Sequence, residues 1–436
     1  MNSSDTIYAP ATAPGISGVA IIRVSGPKAG DCLRRLAGEI PQPRLASLAE
    51  LRDPENQNLI DQALLLWFPA PHSFTGEDVA EFHVHGGRAV IHSTLAALSK
   101  IPNCRMAEAG EFTRRAFLNN KLDLTQVEGL ADLIQAQTEL QAKQALRQLS
   151  GELGNLYETW RGELIQALAY VEASIDFVEE DLDPAIIKQV ESKVKNLHCR
   201  IKTHLADQHR GEILRDGLYA AILGPPNAGK SSLLNALARR EAAIVSHIAG
   251  TTRDVIEVNL DLGGYPVTLA DTAGMRDSVD EIESEGIKRS LKAAKAADLK
   301  IIVIEAGTAP DQTIKNLIDG NSILVENKID LARPLSKESL SLSMKTGEGL
   351  DELLKILQQK ASALMELGIN PSLTRARHRD SLQKCLKALG DFSLAKPLEL
   401  AAEDLRYATA EIGRITGRVD VEDLLDVIFK DFCIGK

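Results

Sequence analysis

Several things the sequence lacks would each have named a class of protein. Its five cysteines, Cys32, Cys104, Cys199, Cys385 and Cys433, include no C-x-x-C pair. Neither a zinc knuckle nor a disulfide framework is therefore indicated, and a reducing compartment fits. No apolar run approaches the roughly 20 residues of a membrane span, and the opening MNSSDTIYAP has no basic flank and no apolar stretch behind it. We expect a cytoplasmic protein that uses no membrane. Basic surplus is missing too: 50 Lys and Arg stand against 61 Asp and Glu, a formal charge of −11, which argues against a broad electrostatic grip on nucleic acid. Any RNA contact should be local or shared with a partner. Tandem repeats and low-complexity tracts are absent.

What is present is ordinary globular composition, 44% apolar and 25% charged over 436 residues, enough for about two to four domains. The first 120 or so residues are punctuated by Gly and Pro and carry short apolar runs such as GVAIIRVSG (18–26) and ALLLWFPA (63–70), which read as strands with intervening helices. From Leu122 to about Arg210 apolar residues recur at helical spacing with few breakers. At Gly217 alternating strands and helices begin, and the helical texture returns from about Thr374 to Phe432. The expected fold class is multidomain α/β plus α. It has an N-terminal α+β domain (1–120), a discontinuous all-helical domain (121–214 and 371–436) and an inserted α/β domain (215–370).

GPPNAGKSS (224–232) matches G-x-x-x-x-G-K-[ST] between a strand candidate and a helix. It brings Asn227, Ala228, Gly229, Lys230, Ser231 and Ser232 to a nucleotide: backbone N–H groups surround the phosphates, Lys230 reaches β and γ oxygens, and the Ser231 hydroxyl binds Mg²⁺. Three further elements follow in order. AGTTRD (249–254) offers Thr252 to Mg²⁺ when a γ-phosphate is present, and the segment around it presents Ser246, His247, Ile248, Ala249, Gly250 and Thr251. DTAG supplies Asp271, Thr272, Ala273 and Gly274, with Asp271 near the Mg²⁺ water shell. NKID supplies Asn327, Lys328, Ile329 and Asp330, whose carboxylate accepts two donors from the guanine edge; adenine would present an acceptor there. SMK (Ser343, Met344, Lys345) stands where such proteins often have S-A-K. The implied ligands are GTP and GDP, and the inserted domain (215–370) reads as a Ras-like P-loop GTPase domain.

Met275, directly after Gly274, cannot do what a glutamine does for the attacking water in Ras-like enzymes. Phosphoryl transfer still needs positive charge and a positioned water, so both must come from elsewhere. DTIYAPATAPG, FTGEDVAEFHVHGG, EFTRRAFLNNKLDLTQVEGLADLI, the phosphate-loop region and the terminal FCIGK together resemble the MnmE (TrmE) family of tRNA-modification GTPases, from one end of the chain to the other. The resemblance implies a K⁺ ion in place of an arginine finger, held by the Asn227 side chain and the carbonyls of Ser246, Ile248 and Thr251 when two G domains meet. It assigns the water to Glu283; by the residues alone Glu281 and Glu285 remain alternatives, and Asn227 serves equally to brace the loop.

The resemblance further implies a 5-formyltetrahydrofolate site in the N-terminal domain, with Arg23, Glu81, Lys121 and Lys436 as its contacts. By composition alone these would be surface or ion-paired residues. Cys433 of FCIGK is either a catalytic thiol or a buried helix-end cysteine. His83 and His85 alternate on a strand and read as a half-buried strand rather than a metal pair. Also implied are a homodimer, a heterotetramer with an MnmG-like FAD protein that brings FAD and NADH, and tRNA as substrate. The product would carry a carboxymethylaminomethyl or aminomethyl group at C5 of the wobble uridine. Two rivals are an Era-like ribosome-assembly GTPase, which would need a basic RNA-binding module after Ala363, and a scaffold that binds GTP without turnover.

Overall fold

The computed structural model describes residues 5–176, 184–240, 242–244, 256–271, 294–336, 339–366, 368, 371–419, 425, 428–429 and 432–435. The chain forms two compact units, one from residues 1–131, 148–168 and 405–436, the other from 132–147 and 169–404.

The first unit is built on a six-stranded sheet of β1 (Thr6–Pro10), β2 (Ser17–Ser25), β3 (Ser47–Arg52), β4 (Leu59–Phe68), β5 (Val79–Gly86) and β6 (Cys104–Met106), in the order β3-β4-β5-β2-β1-β6. All neighbours are antiparallel except β1 and β6. Both apolar runs singled out in the sequence lie in strands, β2 and β4. Strand periodicity sorts the two faces: Ala80, Phe82 and Val84 of β5 enter a core with Leu33 and Leu36 of helix Ala29–Ala37 and Ala97 and Leu98 of helix Arg88–Ser99. Glu81, His83 and His85 alternate with them and are more exposed. On that second face Ala9, Arg23 and Glu81 fall in one transverse row.

The C-terminal segment packs into this same unit. Phe429 and Phe432 join Leu124 and Val127 in an apolar cluster, Ile434 bridges Ala109, and the Gly110 N–H donates to the Cys433 carbonyl at 3.4 Å. Gly435 (φ +100°) lies so close to the Pro10 carbonyl that a Cβ would come within 2.0 Å of it. Only glycine fits there.

The second unit holds a seven-stranded sheet of β7 (Leu218–Leu223), β8 (Ala243–Ile244), β9 (Ile256–Leu262), β10 (Tyr265–Asp271), β11 (Leu299–Glu305), β12 (Ser322–Asn327) and β13 (Leu340–Leu342), in the order β13-β12-β11-β7-β10-β9-β8. β10, β7, β11, β12 and β13 are parallel, and β9 alone runs against the others, antiparallel to both β10 and β8. Such a sheet is covered on both faces, which explains the unbroken apolar text of LYAAIL. Ala220 and Ile222 pack with Leu233 and Leu357 of helices Lys230–Ala238 and Leu350–Met365; Ala221 and Leu223 pack on the opposite face with Ile302 and Ile304. Helices Glu139–Leu149, Pro184–Leu205, Arg210–Asp216 and Ala376–Asp391 account for the helical texture read on either side of this sheet.

Candidate functional site

The chain leaving β7 forms β8, β9 and β10 on one side of it, and the next strand, β11, lies on its other side, so the carboxyl end of β7 is at the topological switch point where ligands of such sheets bind. GPPNAGKSS begins there. Gly224 (φ +145°) crosses β11 so closely that a Cβ would sit 2.0 Å from the Val303 carbonyl, and Gly229 (φ +101°) precedes helix Lys230–Ala238 with the Asn327 amide 2.2 Å from where its Cβ would be. The loop therefore lies against the sheet end with its N–H groups at a helix N-terminus, an anion-binding arrangement.

Lys230 is 8% exposed. Its ammonium donates to the Gly224 and Pro225 carbonyls at 3.0 and 2.8 Å, curled back over its own loop. Burial lowers its pKa while the Asp271 carboxylate raises it. A polyphosphate would offer this charge a stronger partner than two carbonyls. The Ser231 hydroxyl donates to Asp271 Oδ2 at 2.6 Å, so an alcohol oxygen and a carboxylate already meet at the loop's edge. That oxygen-only donor pair fits Mg²⁺. Asn227 takes φ +62° and is exposed, and Ser232 is exposed on the helix's first turn.

Asn327, 2% exposed, joins the loop to the base-recognition segments: its amide donates to the Ala228 carbonyl at 2.8 Å and its oxygen accepts from the Met344 N–H at 3.3 Å. Ser343 Oγ donates to Asp330 Oδ1 at 2.8 Å, and the Ile329 N–H donates to the Leu342 carbonyl at 3.2 Å. Asp330 and Lys345 are exposed. Lys328 (φ +67°) pairs with Glu305 at the end of β11. The order of residues gave no sign of that pair. It also gave none of Glu326, whose buried carboxylate accepts from Leu335 N–H (2.7 Å), Ser336 N–H (3.0 Å) and Ser339 Oγ (2.5 Å) and so shapes the chain beyond Asp330. Burial opposes that ionisation, but the Ser339 hydroxyl and the two N–H groups outweigh it, and the pKa of Glu326 is lowered.

In the first unit Arg23 donates to Glu81 Oε1 through Nε at 2.9 Å, and its Nη2 lies 2.9 Å from the same oxygen; Glu81 Oε2 meets His83 Nε2 at 3.3 Å. The Arg23 guanidinium lies between the Phe74 and Phe112 rings, 5.6 and 5.9 Å from their centroids. Gly76, in the loop carrying Phe74, lies against the Lys121 stem, 3.3 Å from a Gly76 Cβ to Cε. An Arg115 guanidinium holds that loop through Glu77 at 3.0 Å and reaches Glu111 at 3.1 Å. His85 Nδ1 is 2.7 Å from Asp61 Oδ1. Among the described residues no cluster of three or more His, Cys, Asp and Glu side chains could hold a metal ion. Cys433 is exposed, which removes the reading of it as a buried helix-end cysteine. Ser246, His247, Ile248, Ala249, Gly250, Thr251, Thr252, Thr272, Ala273, Gly274, Met275, Glu281, Glu283, Glu285 and Lys436 lie outside the described residues.

A phosphate loop on this strand order, a serine–aspartate pair at its edge and an Asn-Lys-Ile-Asp segment bonded to the loop define a P-loop GTPase. Residues 6–121 match the family model described as GTP-binding protein TrmE N-terminus, and residues 124–433 match the MnmE helical domain. The tRNA modification GTPase MnmE of Parvibaculum lavamentivorans is 53% identical over 99% of this chain and 100% of its own length, and that of Rhodospirillum rubrum is 52% identical over 99% of each. The mitochondrial 5-taurinomethyluridine-[tRNA] synthase subunit GTPB3 of Danio rerio is 47% identical over 99% of this chain and 93% of its own. The chain belongs to the MnmE (TrmE) family of tRNA modification GTPases and is a GTP hydrolase that acts in tRNA modification. Among the described residues no helix is long and apolar enough to cross a membrane.

Proposed function

We propose that this GTPase is activated by K⁺, dimerises through its N-terminal domain, and works with an MnmG-like FAD protein to place a carboxymethylaminomethyl or aminomethyl group at C5 of the wobble uridine of certain tRNAs. Domain limits near 120, 214 and 370, with the 371–436 segment completing the helical domain, belong to this reading, as does action in the cytoplasm. The observation that carries it is the convergence in one unit of Arg23, Glu81, Phe74, Lys121 and the C-terminal segment holding Cys433.

A pterin offers paired N–H groups to a carboxylate, and Glu81 is that carboxylate once Arg23 turns away from it; Lys121 and Lys436 neutralise the glutamate tail. The folate, 5-formyltetrahydrofolate or a related one-carbon tetrahydrofolate, supplies the carbon, while FAD and NADH come with the partner protein in a heterotetramer. At the nucleotide, Lys230 releases its own loop carbonyls to meet the β and γ oxygens, and Ser231, Thr252 and Asp271 hold Mg²⁺ or its waters. Asp330 selects guanine. Since Met275 cannot orient water, Glu283 does so through an intervening water. K⁺ held by Asn227 and the carbonyls of Ser246, Ile248 and Thr251 supplies the positive charge that another GTPase takes from arginine.

GTP turnover should rise about 100-fold when K⁺ replaces Na⁺ and lose that response in Asn227→Ala. Equal rates in the two salts would refute the cation's role. Calorimetric binding of 5-formyltetrahydrofolate, weakened in Arg23→Ala, tests the other half. Unchanged wobble uridines in a deletion strain would refute the modification reading.

A further inference from the structure

Cys32 and Cys104, 72 residues apart in sequence, bring their sulfurs to 3.7 Å. Cys32 sits on helix Ala29–Ala37 and is fully buried; Cys104 opens β6 and is partly exposed. We propose that Cys32 and Cys104 form a redox-sensitive dithiol that closes to a disulfide under two-electron oxidants such as peroxide, stapling the helix to the edge strand of the N-terminal sheet.

The geometry is close to what closure needs. A disulfide has its sulfurs about 2.05 Å apart, so they must approach by about 1.7 Å. The two thiols are also unequal in the way a peroxide-reactive pair is. Cys104 is the one solvent reaches, and the Cys32 S–H donated to it favours its thiolate and lowers its pKa. The same bond, together with burial, pushes Cys32 up. Lys28 and Arg35 favour the Cys104 thiolate and Asp31 opposes it. Tyr8, 5% exposed, covers the pair from β1.

Cys104 is therefore the attacking sulfur and Cys32 the resolving one. The Cys104 thiolate attacks one peroxide oxygen, the O–O bond breaks, and a sulfenic acid and hydroxide form. Cys32 sulfur then attacks the sulfenic sulfur, its proton leaves with the departing oxygen as water, and the S–S bond closes. In total two thiols and one peroxide give one disulfide and two waters. The next residue, Arg105, pairs with Glu111 at 2.6 Å, which in turn pairs with Arg115 and so with the loop of Glu77. The staple thus adjoins the ion-pair chain that positions Phe74.

The test treats the full-length reduced protein with hydrogen peroxide, blocks remaining thiols by alkylation and maps peptides without reduction. Free thiols should fall from five to three, with one new crosslinked peptide joining Cys32 to Cys104 that dithiothreitol reverses. Cys104→Ala and Cys32→Ala should each abolish the crosslink, and GTP turnover of reduced Cys104→Ala should match that of the parent. Five alkylated thiols after treatment, a crosslink through Cys433 or between chains only, or Cys104 driven straight to the sulfinic acid would each overturn the proposal. Peptide mapping of the unmutated protein decides the matter even if the Cys32 variant fails to fold.

Discussion

On the proposed reading, one side chain, Asp330, decides which base the site takes. Its carboxylate is exposed, fixed by the Ser343 hydroxyl at 2.8 Å, and offers acceptors alone. Guanine presents N1–H and N2–H to such a group, whereas an amide would set its own donor against N2–H. In Asp330→Asn one hydrogen bond to a charged acceptor becomes a donor–donor clash, about 1.5–3 kcal/mol in all, so GTP affinity should fall by at least about 10-fold, reaching about 100-fold at the upper end. Xanthine carries a carbonyl in place of that amine, and the variant should bind xanthosine triphosphate better than GTP. Titration with fluorescent nucleotides reads both. Unchanged GTP affinity would place the base elsewhere. Asn227 and Lys328 make a related point at this scale: both take positive φ, and the sequence motif already carried that information without stating it.

At the scale of elements, the two textures read from the sequence, alternating and helical, became strands and helices where the physics is local. LYAAIL is apolar throughout because both faces of β7 are covered, and β5 alternates because only one of its faces is. Other features were not legible because they depend on residues far apart in the chain. Asn327 reaching the Ala228 carbonyl, Glu305 meeting Lys328, and Glu77 held by Arg115 each need the fold before they exist. His204 is of this kind. On helix Pro184–Leu205, burial pushes its pKa down to about 4, with His378 and Arg379 adding to the depression and Asp207 opposing it. The unfolded chain then takes the proton first. Stability is full above the ordinary value of about 6.5, declines as pH falls toward about 4, and is flat below it with respect to this group. The gap limits the loss to about 3 kcal/mol. Urea midpoints at pH 7, 5.5 and 4.5 should show the decline in the parent protein and a shallower one in His204→Asn. A parallel decline in both would remove His204 from the cause.

For the whole molecule, the two units divide the residues of the two proposed sites. Lys230, Ser231, Asp271, Asn327 and Asp330 belong to one, and Arg23, Glu81, Lys121 and Cys433 to the other. A ligand stabilises the structure it binds by RT ln(1 + [L]/Kd), about 2.7 kcal/mol at a hundredfold excess over Kd, and amides that exchange only through opening of that structure slow by about 100-fold. GDP should therefore protect β7, helix Lys230–Ala238 and the segments around Asn327 and Ser343, and leave β2 and β5 as they are. 5-Formyltetrahydrofolate should protect β2, β5 and the Phe74 loop instead. Hydrogen exchange read by mass spectrometry resolves these segments in one experiment on the full chain. If the folate slowed exchange in the phosphate loop while β2 and β5 stayed unchanged, Arg23 and Glu81 would not form its site, and their ion pair would be a brace of the sheet. If both ligands slowed both sets, binding at one site would be coupled to opening of the other, and the coupling free energy would follow from how much each ligand changes the affinity of the other.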